Sequence, residues 1–394
     1  MSKINSTNWN YPTSIWFGHE RIKDIVKACK QLNIKNPLIV TDEALVTLPI
    51  INDLQNPLKN ENIKFTIFSD VQSNPSGKNV EDGVLVYNDN ACDGVIAFGG
   101  GSALDAGKTI AFMSGQSLSV WDFEDIGDNY TKANLDGIAP IIAIPTTSGT
   151  GSEVGRATVI THSLTHAKKI IFHPLMLPSL VILDPNLTYN LPKHITAWTG
   201  MDALVHAIEA YCAPGFHPMA DGIALEAIAL IKNNLVLAYE NGHNESARAN
   251  MLVAAMMGAT SFQKGLGSVH SIAHQLGGLF NTPHGLANSI ILPYALKQNQ
   301  SEIEDKMKKL CVFLNMDNPS CDSFISYVIS LQKTLGIPST LSEAKIDNDR
   351  ANEIGELAYK DPSTSTNAKK LKVKDLTVLF QAAYSGNFEL LKEV

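Results

Sequence analysis

Three histidines and one aspartate fall in two short stretches of the second half of the chain, and residues of these types can share one metal ion. The first stretch runs from Thr199 to Glu209 and carries Asp202 and His206; the second, from Gly265 to Asn288, carries His270, His274 and His284. Asp202 and His206 are four apart, so on a helix they share a face. Imidazole nitrogen and carboxylate oxygen without thiolate suit divalent Fe, Zn or Mn with one coordination position left open, which is the arrangement of a reactive site. Other readings compete at this level. Thr199 and Asp202 have the spacing of a helix capping box, and His206 alone reads as a hydrogen-bonded core histidine. His270 and His274 are also four apart, so either or both could ligate. His284 lies between Pro283 and Gly285, a turn-like setting. Cys212 could be a soft ligand, although a small buried residue is the commoner use of such a cysteine.

A second group of residues suits an anion. Gly99-Gly100-Gly101-Ser102-Ala103-Leu104-Asp105 follows an apolar strand directly. Glycines there admit a ligand close to the backbone, and the helix that follows aims free N–H groups at a diphosphate. Two familiar fingerprints fail. Ser102 stands where a Walker A loop needs its first glycine, and Leu104 where G-x-G-x-x-G needs its last. Pro145-Thr146-Thr147-Ser148-Gly149-Thr150-Gly151 adds hydroxyls suited to phosphate and ribose oxygens. Asp42 closes a strand, where a carboxylate accepts from ribose hydroxyls and repels a 2′-phosphate, favouring NAD over NADP. An Asp capping the next helix is the competing reading.

These residues need a scaffold. Segments 37–41, 65–68, 94–98, 141–144 and 180–183 read as buried strands, and 79–90 as a helix between the second and third. Such alternation predicts a parallel sheet flanked by helices, with ligands beyond the carboxyl ends of its strands. After Asp184-Pro185-Asn186 helical spacing takes over, notably at 220–238 and 246–262. The expectation is an α/β domain over 1–187 and an all-helical domain over 188–394, with a short loop at 361–366.

The chain has 394 residues, 44% hydrophobic and 18% charged, with a net charge of −8. That composition predicts a globular two-domain protein and argues against a nucleic-acid or anionic-membrane surface. No apolar run reads as a membrane span of about 20 residues. The segment Met1 to Ser6 lacks an apolar signal region, and five scattered cysteines without a Cys-x-x-Cys pair point to the cytoplasm.

At this level of detail the chain resembles the iron-containing (group III) alcohol dehydrogenases over nearly its whole length. The matching blocks are GGGSALDAGK at 99–108, IPTTSGTGSEV at 144–154, LDP at 183–185, GMDALVHAIEAY at 200–211 and GLGSVHSIAHQLGGLFNTPHG at 265–285. The resemblance implies a Rossmann-like domain, a helical metal-binding domain of dehydroquinate synthase-like architecture, and an active site in the cleft between them. It implies Asp202, His206, His270 and His284 as ligands of Fe(2+), with Zn(2+) or another divalent metal possible, and makes His274 a residue near the nicotinamide that can carry a proton. Asp42, Asn74, Gly99, Gly100, Gly101, Ser102, Asp105, Thr146, Thr147, Thr150 and Lys168 then contact or shape the NAD site, with Lys169 beside Lys168 as a rival. A small alcohol or aldehyde is the implied substrate, and a dimer or higher oligomer the implied assembly. A 4-hydroxybutyrate or 1,3-diol dehydrogenase of the same family is an alternative. A zinc polyol dehydrogenase, a dehydroquinate synthase-like lyase using metal and NAD, and a non-catalytic NAD sensor stand further off.

The chain departs from the family pattern at Gly155, at Phe262-Gln263-Lys264 and at Asn367-Ala368-Lys369. The last two changes are expected to reshape a substrate pocket in which Phe262, Leu266 and Leu279 are apolar candidates.

Overall fold

The computed structural model describes residues 9–11, 13–163 and 167–393; the Met1 to Ser6 segment lies outside them. The chain divides into two compact units, residues 11–190 and residues 191–394, and Trp9 and Asn10 belong to the second.

The first unit is a six-stranded parallel sheet with helices between its strands. In chain order it runs β1 (Ser14–Phe17), α1 (Ile25–Gln31), β2 (Pro37–Val40), α2 (Ile50–Asn60), β3 (Thr66–Phe68), α3 (Gly77–Asp89), β4 (Gly94–Gly99), α4 (Gly101–Met113), β5 (Ile141–Pro145), β6 (Ala157–Thr161), β7 (Lys168–Phe172) and β8 (Leu180–Leu183). The strand order is β1-β8-β5-β4-β2-β3, and every pairing in the sheet is parallel. Strands β2, β4, β5 and β8 are buried at every residue. That explains their unbroken apolar runs, because both faces are covered. Leu38, Val40 and Val95 join one core with Val80 of α3 and Ile110 of α4; Ile39, Ile96 and Ile142 join another with Ile25 of α1 and Leu54 of α2. From β2 the chain moves outward to β3, and from β4 the other way to β5. The switch point therefore lies between β2 and β4, where such sheets bind ligands.

Three strands escape a reading of apolar runs. The edge strand β1 spans four half-buried or exposed positions, too few for an alternation to register. Strands β6 and β7 form a separate antiparallel pair, Thr161 opposite Lys168 and Ala157 opposite Phe172, and Lys168 and Lys169 disguise the second of them.

The second unit is helical: α5 (Lys193–Cys212), α6 (Pro218–Glu240), α7 (Glu245–Ser261), α8 (Ser268–Phe280), α9 (His284–Phe313), α10 (Cys321–Thr334), α11 (Ala351–Lys360), α12 (Pro362–Ser365) and α13 (Val373–Ser385). Helix α5 packs against α6, α7 and α9, and nearly every side chain from Gly200 to Cys212 is buried. Helix α6 is long and apolar enough to cross a membrane by length and composition, which corrects the expectation that no segment would be. Here Ala224, Ala227, Ile228, Ile231 and Leu235 enter the core of the unit. The expected loop at 361–366 contains a turn of helix, because Asp361 caps it through Ser363 N–H and Pro362 takes the first position.

Candidate metal centre and dinucleotide loops

Asp202, His206, His270 and His284 converge. One donor atom from each lies within 4.8 Å of the others, and all but the half-buried His284 are buried. The Nε2 atoms of His206, His270 and His284 stand 3.9, 3.9 and 3.6 Å from Asp202 Oδ1. Metal–ligand bonds of about 2.1 Å put the corners of a tetrahedron about 3.4 Å apart, so the donor set fits a divalent ion in kind and in spacing. Three helices supply it: α5 gives Asp202 and His206 one turn apart, α8 gives His270, and α9 opens on His284.

The capping-box reading of Asp202 fails, because Thr199 and Asp202 lie inside α5 and the Thr199 hydroxyl donates to Ile195 O. Cys212 lies outside the cluster, its Sγ 3.8 Å from Met307 Sδ.

The carboxylate of Glu209 orients His270. Its Oε2 is 2.7 Å from His270 Nδ1 and its Oε1 accepts from Val269 N–H. Burial holds the His270 imidazole well below its ordinary range. In the tautomer that directs Nδ1–H at Glu209, the lone pair belongs to Nε2, the atom facing Asp202. Burial likewise pushes the Glu209 carboxyl up to about 7, against the pull of backbone N–H groups at Val269, Gly267 and His270. Asn367 Oδ1 accepts from Ser268 N–H. Thus the free N–H groups that open α8 are capped by side chains from distant segments. Asn367 is buried, and its amide serves as a helix cap. Lys264 likewise donates to Tyr211 O at the end of α5, while Phe262 packs against the His206 ring with centroids 5.1 Å apart.

His274 is half-buried and stands outside the convergent donors. Its Nδ1 is 2.8 Å from Asp361 Oδ2, and its ring stacks on His284 at 5.4 Å. Of the pair, His270 is the one whose donor atom joins the convergent group.

Asn288, a residue whose type gave no hint, sits among the four convergent donors. Its Nδ2 is 2.7 Å from Asp202 Oδ1 and 3.0 Å from His284 Nε2. Sequence offers a signal for it and for Glu209 in hindsight: Asn288 is four residues after His284, and Glu209 three after His206, each on a ligand's helical face.

In the sheet unit the proposed dinucleotide residues gather at the carboxyl ends of β2 to β5. Gly99 ends β4 with φ +150°, and an added Cβ there would lie 2.7 Å from Ala103 Cβ and 3.7 Å from Asp42 Oδ2. An added Cβ at Gly101 would meet Thr150, and at Gly100 would touch Thr147. Helix α4 starts at Gly101 with no side-chain cap, leaving its first N–H groups for an anion. Thr146 N–H donates to Gly99 O, and Ser102 Oγ to Ser73 O beside Asn74. Asp42 does cap the next turn, through Leu45 N–H to Oδ1. Its second oxygen faces Gly99.

Asp105 shapes this loop from within. Its oxygens accept from Ser152 Oγ and Val159 N–H. Lys108, which resembles a phosphate-binding lysine in sequence, is fully buried and donates to Ser152 O, Ser152 Oγ and Ala157 O. Burial pulls its amine down to about 8 and pushes Asp105 and Glu153 up, Glu153 to about 7. Lys168 and Lys169 take opposite faces of β7. Lys169 pairs with Glu124 Oε2 at 2.5 Å, whereas the Lys168 amine, lowered by burial, feels the Asp105 charge.

Comparison with known proteins agrees with both halves of this geometry. Residues 12–185 match the family model of iron-containing alcohol dehydrogenase, and residues 196–384 match that of the Fe-containing alcohol dehydrogenase family, C-terminal. The chain is 34% identical to 1,3-propanediol dehydrogenase of Citrobacter freundii, covering 95% of this chain and 97% of that one. It is 33% identical to 4-hydroxybutyrate dehydrogenase of Cupriavidus necator, over 93% of this chain and 96% of that one. The solved structure of a 1,3-propanediol oxidoreductase superposes with a TM-score of 0.92 at 32% identity, covering 96% of this chain and all of that one (100%). The chain therefore belongs to the iron-containing alcohol dehydrogenases, oxidoreductases that work with NAD and iron.

Proposed function

We propose that this chain interconverts a small primary alcohol and its aldehyde, with Asp202, His206, His270 and His284 as the metal ligands and His274 as a proton carrier. The observation that carries the reading is the convergence of those four donors from three helices. When bound, the ion supplies Lewis acidity toward the alcohol oxygen, and NAD supplies the hydride acceptor at its nicotinamide. Glu209 fixes the His270 tautomer, so that Nε2 keeps its lone pair for the centre. Asp361 does the same for His274: with Nδ1–H directed at the carboxylate, Nε2 is the atom that takes or returns the substrate proton. Gly99, Gly100 and Gly101 admit the diphosphate to the start of α4. Thr146, Thr147 and Thr150 line that approach, with Ser102, Asp105, Asn74 and Lys168 shaping it and Asp42 reserved for ribose hydroxyls.

A 1,3-diol or 4-hydroxybutyrate substrate is the second reading, favoured by the relatives that act on those compounds. Family membership weighs against the lyase and sensor alternatives. The five cysteines, none paired with another, support a reducing cytoplasmic location, and the family supports an oligomer. A screen of NAD reduction over alcohols, diols and hydroxy acids tests the function. Metal-dependent NADH formation with short alcohols or diols is the expected result; its absence across the panel overturns the reading.

A further inference from the structure

The Asn288 amide lies beside the Asp202 carboxylate and two imidazole nitrogens. Its Nδ2 is 2.7 Å from Asp202 Oδ1, 3.0 Å from His284 Nε2 and 3.3 Å from His270 Nε2. Asp202 Oδ1, a carboxylate oxygen that only accepts, identifies that atom as nitrogen rather than oxygen. Oδ1 at the other end has no hydrogen-bond partner among the described residues, and the residue is wholly buried. An amide nitrogen carries two hydrogens and cannot serve three acceptors at once. A buried carboxylate without a donor is costly, so some group must answer Asp202 whenever a cation does not.

These contacts are to the same atoms a metal ion would take. We propose that Asn288 is a placeholder for the cation: its two N–H groups hold Asp202 and His284 in the metal-free enzyme, with His270 next to them, and compete with the ion for lone pairs, so Asn288 limits how tightly metal binds. The proposal rests on the reading of the four donors as a metal site. It differs from a plain packing role, which would stabilise both forms alike, and from a ligand role, which would favour the loaded form.

The test compares wild type with Asn288→Ala and with Asn288→Leu, which keeps most of the volume. Each protein is stripped with a chelator and reloaded with zinc. Thermal melting is followed in both forms, and zinc affinity is read by competition with a chromophoric chelator. The expected result is a lowered melting temperature in the metal-free variants, near-wild-type melting in the loaded ones, and zinc bound about tenfold more tightly, the size of one hydrogen bond to a charged group. Equal loss of melting temperature in both forms with unchanged affinity overturns the placeholder, as does weaker zinc binding. Wild-type protein that takes up no zinc removes the metal-site reading itself, and is told apart because it fails before any variant is compared.

Discussion

The Glu209 carboxylate receives Val269 N–H on one oxygen and faces His270 Nδ1 with the other, so one side chain positions the ring of a proposed ligand. Glu209→Ala is expected to weaken metal binding by about 10–100-fold, the usual cost of losing a carboxylate behind a ligand histidine; chelator competition on the purified variant reads this directly, and unchanged affinity would reduce Glu209 to a helix cap. Its counterpart is Asp361 behind His274. His274→Ala and Asp361→Asn should both lower turnover while metal content stays at the wild-type level, since His274 lies outside the four convergent donors. Loss of metal in either variant would move His274 into the ligand set. Residue spacing alone left His270 and His274 equivalent, because both share a face of α8; only the three-dimensional placement of Asp202, and of the two carboxylates, separates them. Glu209 and Asn288 were invisible for a different reason. A buried Glu on an apolar helix and an Asn near a helix start have bland explanations until their partners are known.

At the scale of elements, the site depends on how helices begin. Gly267 precedes α8, where an added Cβ would lie 2.7 Å from Asn367 Oδ1 and 2.8 Å from Glu209 Oε1. Gly267→Ala should therefore cost about 1–3 kcal/mol of stability from overpacking and reduce metal content as well. Gly222→Ala in α6 is the control: an added Cβ there meets nothing within 4 Å, so helix propensity should make it neutral or stabilising by up to about 1 kcal/mol. Melting temperatures of the two variants moving together would contradict this account of α8. In the sheet unit the equivalent dependence is on Lys108, whose three hydrogen bonds tie α4 to the 152–157 segment. Lys108→Met should raise the KM for NAD with metal content unchanged. A lysine contacting phosphate would instead be exposed, and its loss would leave the fold of the loop intact. The parallel strands and long helices were legible because period and composition mark them strongly. The β6–β7 pair was not, since Lys168 and Lys169 interrupt the alternation on which a strand reading relies, and β1 is simply too short.

For the molecule as a whole, the two proposed ligands fall in different compact units: the donors of the metal site all lie within 191–394 and the dinucleotide residues all within 11–190. Metal and NAD should therefore leave separate footprints in amide hydrogen exchange. Removing metal is expected to speed exchange at the facing turns of α5, α8 and α9, and adding NAD to slow it around Gly99–Asp105 and Thr146–Thr150. A metal effect confined to the sheet unit would contradict the assignment. The most direct test of the central claim is the metal content of purified wild type and His270→Ala, measured together with NAD reduction by an alcohol. The account predicts one divalent ion per wild-type chain with turnover, and an empty, inactive His270→Ala protein that remains folded. Equal metal content in the two proteins would contradict it.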